Sequence, residues 1–338
     1  MAGCSYSAAS PRPCGVKVAM SVERHLILVH TFGDQEIADF QDIAGRVRQL
    51  APDIEVFIAE NDLPCSVTRR QAAARPTLIF SPGKLLEFRP MRGKIYAGSP
   101  IPKLEQVARF KAAGVPVPES VEITPDLVLP KDVFGSLVVV KPGFSLASNG
   151  KDMTLMRREA VRFQPRDAYP PDHPGRHASM YAQRFVDTGP FVNHYRVLTL
   201  FGDALLAFKT TSQVARLSLD SPDDVLATMM VKATRKSGPI KRELFRDPDV
   251  LAMARRSYAA LPEIPLQAVD MVKAADSGRL FVLEANPGGN TWIFSKSSSG
   301  ESGARLTEAL GVERLTDQFD AFAVVAKALV DRTRAEAE

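Results

Sequence analysis

Tryptophan and cysteine are scarce in this chain, which has one of the first and three of the second. Cys4, Cys14 and Cys65 are odd in number and far apart, so they form neither a disulfide framework nor a zinc-binding spacing. A reducing cytoplasm suits them. No apolar run approaches ~18 residues, so no membrane span is expected. Long blocks of one charge are missing, and a net charge of +4 is too small to argue for nucleic acid or an anionic membrane. No internal repeat is apparent. The first strand–helix stretch contains no G-x-G-x-x-G, which leaves a dinucleotide role there unsupported.

What is present is ordinary for a soluble globular protein: 45% hydrophobic and 24% charged residues over 338 positions, enough for two or three compact units. Residues 1–22 are rich in Ser, Ala, Pro and Gly and read as a disordered tail, or as sequence upstream of an alternative start at Met20. Short apolar runs at 24–31, 54–58 and 77–80 alternate with a helical stretch over Asp39 to Leu50. That alternation predicts a small parallel α/β unit. A helix opens at Lys103, carries Leu104, Val107 and Phe110 on one face, and stops at Gly114. Residues 137–141, 180–186 and 194–209 read as strands, and Gln164 to Ser179 as an exposed loop. Leu315, Phe319, Phe322, Ala326 and Leu329 mark one face of a C-terminal amphipathic helix.

Residues 268–293 are the most informative segment. Two β-rich runs flank Asp276-Ser277-Gly278. With Ser277 at the middle of a three-residue loop, Ala275 faces Arg279 and Asp270 faces Glu284. Like charges directly opposite are destabilising, so a shared cation explains the pair. Asn286 shares a face with Glu284, and two carboxylates with an amide oxygen make a hard site of the kind Mg²⁺ prefers. A solvated acidic face is the alternative. A second hairpin has the opposite sign: if Phe201 pairs with Ala204 across Gly202-Asp203, Arg196 lies opposite Lys209, two cations suited to a polyphosphate or simply to solvent.

Other signals are weaker alone. Lys141 ends an apolar strand before a loop of small residues, Gly143 to Lys151, whose backbone N–H groups could close over phosphates; an ordinary surface loop is the alternative. Alternation puts Gln183, Phe185 and Asp187 on one face, suited to a purine or to an edge strand. Lys232 to Lys236 is basic and fits either an anionic substrate or a solvated loop, and Trp292 fits a substrate platform or a core position.

Taken in order, the lysine-opened helix ending in G-V-P-V-P, the strand ending in Lys141-Pro142, the Q-x-F-V segment, the Arg196 hairpin and the D…E-x-N-P-G close resemble the ATP-grasp superfamily over roughly residues 98–310. The resemblance implies an α/β fold: a Rossmann-like N-terminal unit over 23–97, after the 1–22 tail, then a central subdomain over 98–182 and a C-terminal subdomain with the metal site over 183–338, which together clamp a nucleotide. It implies that Lys103 and Lys141 reach the nucleotide phosphates and that Ser148, Asn149 and Gly150 close over them. Gln183, Arg184, Phe185 and Val186, with Asp187 beside them, would hold adenine and its surroundings. Arg196 would sit near the transferred phosphate with Lys209 as a helper, and Asp270, Glu284 and Asn286 would hold Mg²⁺ or Mn²⁺. Gly288, Gly289 and Asn290 would contact the acid. The ribose-binding residue is left open among Asp187, Asn193 and His194. The implied activity is a cytoplasmic ligase that uses ATP to join a small-molecule or peptide carboxylate to an amine or thiol, with no nucleic-acid or membrane partner and with a homodimer allowed. A small-molecule kinase and a non-catalytic Mg-ATP-binding protein are the rivals.

Overall fold

The computed structural model describes residues 22–63, 70–143, 153–229, 231–233, 238–287, 291–295 and 303–338. Three sheets follow one another along the chain. The first is parallel, in the order β2-β1-β3-β4, with β1 Arg24–His30, β2 Ile54–Glu60, β3 Thr77–Ser81 and β4 Lys94–Ala97. Leu26, Ile27, Leu28 and Val29 are all buried because β1 is covered on both faces, as a continuous apolar run in a parallel sheet requires. Helix α1, Ile37–Leu50, lays Phe40, Ile43, Ala44 and Val47 on one of those faces.

The second sheet has antiparallel pairs in the order β5-β8-β6-β7, from β5 Ser120–Glu122, β6 Leu137–Pro142, β7 Thr154–Arg157 and β8 Met180–Arg184. The third is antiparallel throughout, β11-β10-β9-β12-β13, from β9 Asn193–Leu200, β10 Asp203–Ser212, β11 Ile240–Leu244, β12 Leu266–Lys273 and β13 Leu280–Pro287. Helices α2, Lys103–Ala112, and α5, Pro248–Ala260, back one face of this sheet with Val107, Phe110, Val250 and Ala254. Asp247 starts α5 by accepting from the N–H groups of Asp249 and Val250, with Pro248 in the first turn where no N–H is needed. Between them in sequence lie two short helices, α3 Lys131–Phe134 and α4 Asp223–Thr228. No helix among the described residues is long and apolar enough to cross a membrane.

The end of the chain returns to its beginning. After α6, Gly303–Leu310, the last helix α7, Ala321–Glu336, packs beside α1 and the first sheet. Glu338 and Thr77 exchange backbone hydrogen bonds, and Arg334 grips Asp53 with two. The expected C-terminal stripe is therefore split. Leu315 belongs to a 3-10 turn, Leu315–Gln318, and Phe319 follows it; Asp320, at φ 50°, breaks the chain before the helix that carries Phe322, Ala326 and Leu329. One core runs through Leu28, Phe40, Leu198, Phe208, Trp292, Phe322 and Leu329, joining the first and third sheets.

Trp292 is fully buried in that core, which decides against a substrate platform. Its Nε1 donates to Asp39 of α1 at 2.9 Å, and Ser295 Oγ donates to the same carboxylate at 2.7 Å. Ser295 Oγ in turn accepts the Glu36 N–H at 2.9 Å. The segment after the last strand is thus pinned to the start of α1. Asp39→Ala leaves the buried indole N–H and the serine without their acceptor and is expected to cost about 1–3 kcal/mol. Urea unfolding followed by the fluorescence of the single tryptophan measures it; an unchanged midpoint contradicts the pinning role.

Candidate active site

The site is a row of charges across the face of the third sheet opposite α2 and α5. Arg196 on β9 stands directly opposite Asp270 on β12, which stands directly opposite Glu284 on β13. Paired residues share a face, so all three side chains converge. The Asp270–Glu284 pairing is the one expected from the sequence, reached by another route. Near the turn Lys273 faces Leu280 and the Ala274 N–H donates to Arg279 O, one residue off the expected register. A bulge between Asp270 and Met271 takes up one extra residue on β13 and restores the pairing. Ala275 does not face Arg279; its N–H donates to Asp187 O at 2.8 Å.

The expected Arg196–Lys209 pair does not form. Phe201 and Gly202, both at positive φ (49° and 88°), make the two-residue turn, and Leu200 faces Asp203. A second bulge between Ala204 and Leu206 leaves Arg196 opposite Phe208. Lys209 faces Tyr195 on the other side of the sheet, its ammonium 5.3 Å from the ring centre. A single-residue slip moves a side chain to the opposite face, and here it removes Lys209 from the row.

Asp270 is 1% exposed and is held by three side chains. Arg196 binds it with two hydrogen bonds, Nε to Oδ1 at 2.7 Å and Nη2 to Oδ2 at 2.8 Å. Lys232 Nζ lies 2.9 Å from Oδ2, and Asn286 Nδ2 donates to the same oxygen at 3.3 Å. Glu284 receives Lys103 Nζ at 2.8 Å and Asn286 Nδ2 at 3.2 Å. Burial, the largest influence on each carboxylate, pushes both upward. It is outweighed: Arg196 and Lys232 hold Asp270 well below the usual carboxylate range, and Lys103 and Lys232 bring Glu284 to about 2. Both are ionised at neutral pH.

Across the cleft, Lys141 on β6 donates to Gln183 Oε1 on β8 at 2.8 Å, and Gln183 Nε2 donates to Ser120 Oγ at 2.9 Å. Lys103, Lys141, Gln183, Arg184, Phe185, Val186, Asp270 and Glu284 line one cleft, with Val139, Val272 and Leu283 as its apolar walls. An apolar slot next to convergent charges is what a purine with attached phosphates requires. Asp187 is engaged elsewhere, since it is ion-paired with Arg216 and accepts the Gly189 N–H at 2.7 Å. Asn193 Nδ2 donates to Thr188 O and Phe191 O, so it is tied to its own loop. Ser148, Asn149, Gly150 and Lys151 and the expected acid-binding Gly288, Gly289 and Asn290 lie outside the described residues.

Two cleft residues were not legible as site residues. Lys232 was one of several cations in a basic stretch, and Arg216 carried no signal; its guanidinium lies 5.4 Å from the Phe185 ring centre, at the rim of the slot.

Burial lowers Lys141 to about 8, against an upward pull from Glu284. Above that pH the free protein carries it neutral, whereas a bound phosphate restores the proton. A phosphate bound against Lys141 is therefore expected to bring the uptake of close to one proton at pH 9 and of almost none at pH 6.5. Calorimetry in buffers of different ionisation enthalpy measures this, and proton release at pH 9 contradicts it.

The residues fit a magnesium ion. No group of three or more His, Cys, Asp or Glu able to hold a metal occurs among the described residues. The donors are instead two ionised carboxylates and one amide, hard oxygen ligands of the kind Mg²⁺ takes alongside water and phosphate oxygens. Their present partners are the cations a polyphosphate would claim.

No protein-family model matches the chain, and no curated protein matches it in sequence. Its fold is matched by solved structures. D-cycloserine synthetase DcsG superposes with a TM-score of 0.51 at 16% identity, over 91% of this chain and 99% of that one. The ATP-grasp ligase PsnB, complexed with a phosphomimetic variant of its minimal precursor, Mg and ADP, gives 0.49 at 16% identity, over 93% and 99%. D-alanine–D-alanine ligase from Bacillus anthracis, complexed with ATP, gives 0.44 at 12% identity, over 91% and 99%. At such identities the likeness is one of fold, and it rests on the first comparison. The chain shares the fold of D-cycloserine synthetase DcsG.

Proposed function

We propose that this protein is an ATP-dependent ligase that joins a carboxylic acid to an amine or thiol through an acyl phosphate, releasing ADP and phosphate. One observation carries the reading: five charged groups, Lys103, Arg196, Lys232, Asp270 and Glu284, are joined through the Asn286 amide into one network that divides into two ligand sets. The carboxylates, with Asn286, make a magnesium (or manganese) site, and the cations, with Lys141, make a polyphosphate site. Bound together, a metal and ATP would take over both halves without leaving either charge set unpaired.

Each residue then has a role. Lys141 and Lys103 hold phosphates, while Arg196 and Lys232 neutralise charge developing on the transferred phosphoryl group. Asp270, Glu284 and Asn286 would hold Mg²⁺, which when bound supplies Lewis-acid neutralisation of phosphate oxygens. Val139, Val272 and Leu283 exclude water from the base, and the hinge Gln183 to Val186 positions it. The transfer needs alignment and charge compensation more than a protein nucleophile. The acid, a small molecule or a peptide, attacks the terminal phosphorus through its carboxylate oxygen and displaces ADP; the incoming amine then adds to the acyl carbon, expels phosphate and gives up a proton. The units at 23–97, 98–182 and 183–338 belong to the same proposal, with β8 as the hinge strand at the second boundary. So does a cytoplasmic setting, where ATP is supplied.

Acids tested singly and then in acid–amine pairs for ADP release decide the matter. Release that depends on the pair, in step with a condensed product, is expected. ADP release with one substrate and a stable phosphorylated product contradicts the ligase reading in favour of a kinase.

A further inference from the structure

On the same face of the third sheet, one pleat along from the Arg196 row, lie three side chains to which the proposed function gives no role; one of them, His194, is the remaining ribose candidate but does not line the cleft that would hold the nucleotide. His194, Thr210 and Arg242 stand directly opposite one another on β9, β10 and β11. His194 is 7% exposed and Thr210 1%, and neither His194 Nδ1 nor Thr210 Oγ1 has a hydrogen-bond partner among the described residues. Buried polar atoms without partners are rare and costly, and a ligand is one reason to keep them. Arg242 is half-buried between Lys241 and Glu243, which are exposed and pair with each other at 2.7 Å. The surroundings are cationic: Lys232, Arg196 and Arg242 all act on His194, against the one carboxylate of Asp270.

We propose that His194, Thr210 and Arg242 form a subsite for a second carboxylate on the acid substrate, so that the substrate is a short dicarboxylic acid. The inference rests on the ligase reading and narrows its substrate class. An imidazole, a hydroxyl and a guanidinium on one face of three neighbouring strands offer N–H and O–H donors, which an acceptor-only group such as a carboxylate matches. The spacing separates this group from the one that reacts. Same-face neighbours along a strand are roughly 6.7 Å apart, and the transferred phosphoryl group belongs at the Arg196–Asp270 row. An anion on the His194 row is therefore held one short chain away from the reacting carboxylate. A linear diacid of about four to six carbons spans that distance.

The test is a matched series of acids: butyrate against succinate, valerate against glutarate, and hexanoate against adipate. ADP release is followed with Mg-ATP and hydroxylamine, which traps an acyl phosphate as the hydroxamate. At least one diacid is expected to exceed its monoacid by roughly 100-fold in kcat/KM, the worth of a charged hydrogen-bonded subsite. In Arg242→Gln, and in the nearly isosteric Thr210→Val, that ratio is expected to collapse towards one. Calorimetric titration of the same diacids into the Mg-ADP complex reads the subsite without turnover. Equal use of both acid classes, an unchanged ratio in both variants, or no diacid binding overturns the proposal. Diacid binding that Arg242→Gln abolishes, with no ADP release from any acid, upholds the subsite and overturns the ligase reading instead.

Discussion

Glu284→Gln is expected to lower ADP release by about 10²–10³-fold, the scale of losing one preorganised electrostatic contact in a closed site, and by more if the metal no longer binds. The substitution keeps the shape, removes the charge and turns one acceptor oxygen into an NH₂ donor. In the free protein that charge holds Lys103 at 2.8 Å and is shared with Asn286. In the nucleotide complex it would be one of two carboxylates on the metal. The loss should therefore be accompanied by a rise in the Mg²⁺ concentration needed for half-maximal rate, which a rate-against-magnesium titration measures. Normal turnover in this variant sinks the assignment of the metal site.

Asp270→Asn tests the other half of the row, and its main effect is on stability. Asp270 is fully enclosed and is the shared partner of Arg196 and Lys232. Removing its charge leaves two adjacent cations with no common anion. Losing one member of a buried pair costs about 3–5 kcal/mol; because Arg196 and Lys232 are themselves partly exposed, about 2–3 kcal/mol is the expected loss here. ADP added without metal should return part of it, since its phosphates supply the missing negative charge. A variant as stable as the wild type, or one that ADP does not help, contradicts the charge-network account.

The same network fixes how the free protein responds to acid. Glu284 titrates at about 2 in the folded chain, below its ordinary 4.5, so the unfolded chain takes up its proton first as pH falls. Its contribution to stability is full above about pH 4.5 and is lost as pH drops towards 2. Asp270 acts in the same direction.

Much of this was legible in the chain, and what was missed has identifiable causes. Asp270, Glu284 and Asn286 could be placed on one face because alternation along a strand and pairing across a hairpin are strict. The bulge after Asp270 could not be read, since no residue type announces it; here it offset an equal error at the turn. In the Arg196 hairpin the corresponding departures did not cancel, and Lys209 was assigned to a face it does not occupy. Lys141 and Gln183 were legible as strand residues, but their contact depends on β6 pairing with β8 in a register no local pattern sets. The four-residue strands β4 and β7 and the three-residue β5 are too short to show a period. Lys232 and Arg216 come from the long connection between β10 and β11, where only tertiary packing decides which side chains reach the cleft. Trp292 turned inward for a reason far away in sequence, the carboxylate of Asp39.

In the proposed reaction this row of charges drives phosphoryl transfer from ATP to a substrate carboxylate. Isotope transfer tests it most directly. An acid labelled with ¹⁸O in both carboxylate oxygens is turned over with Mg-ATP and its amine partner, and the released phosphate is analysed by mass spectrometry. One labelled oxygen in each phosphate is the predicted result, because the carboxylate oxygen that attacks phosphorus leaves with it. Unlabelled phosphate, with ADP still produced, contradicts the account.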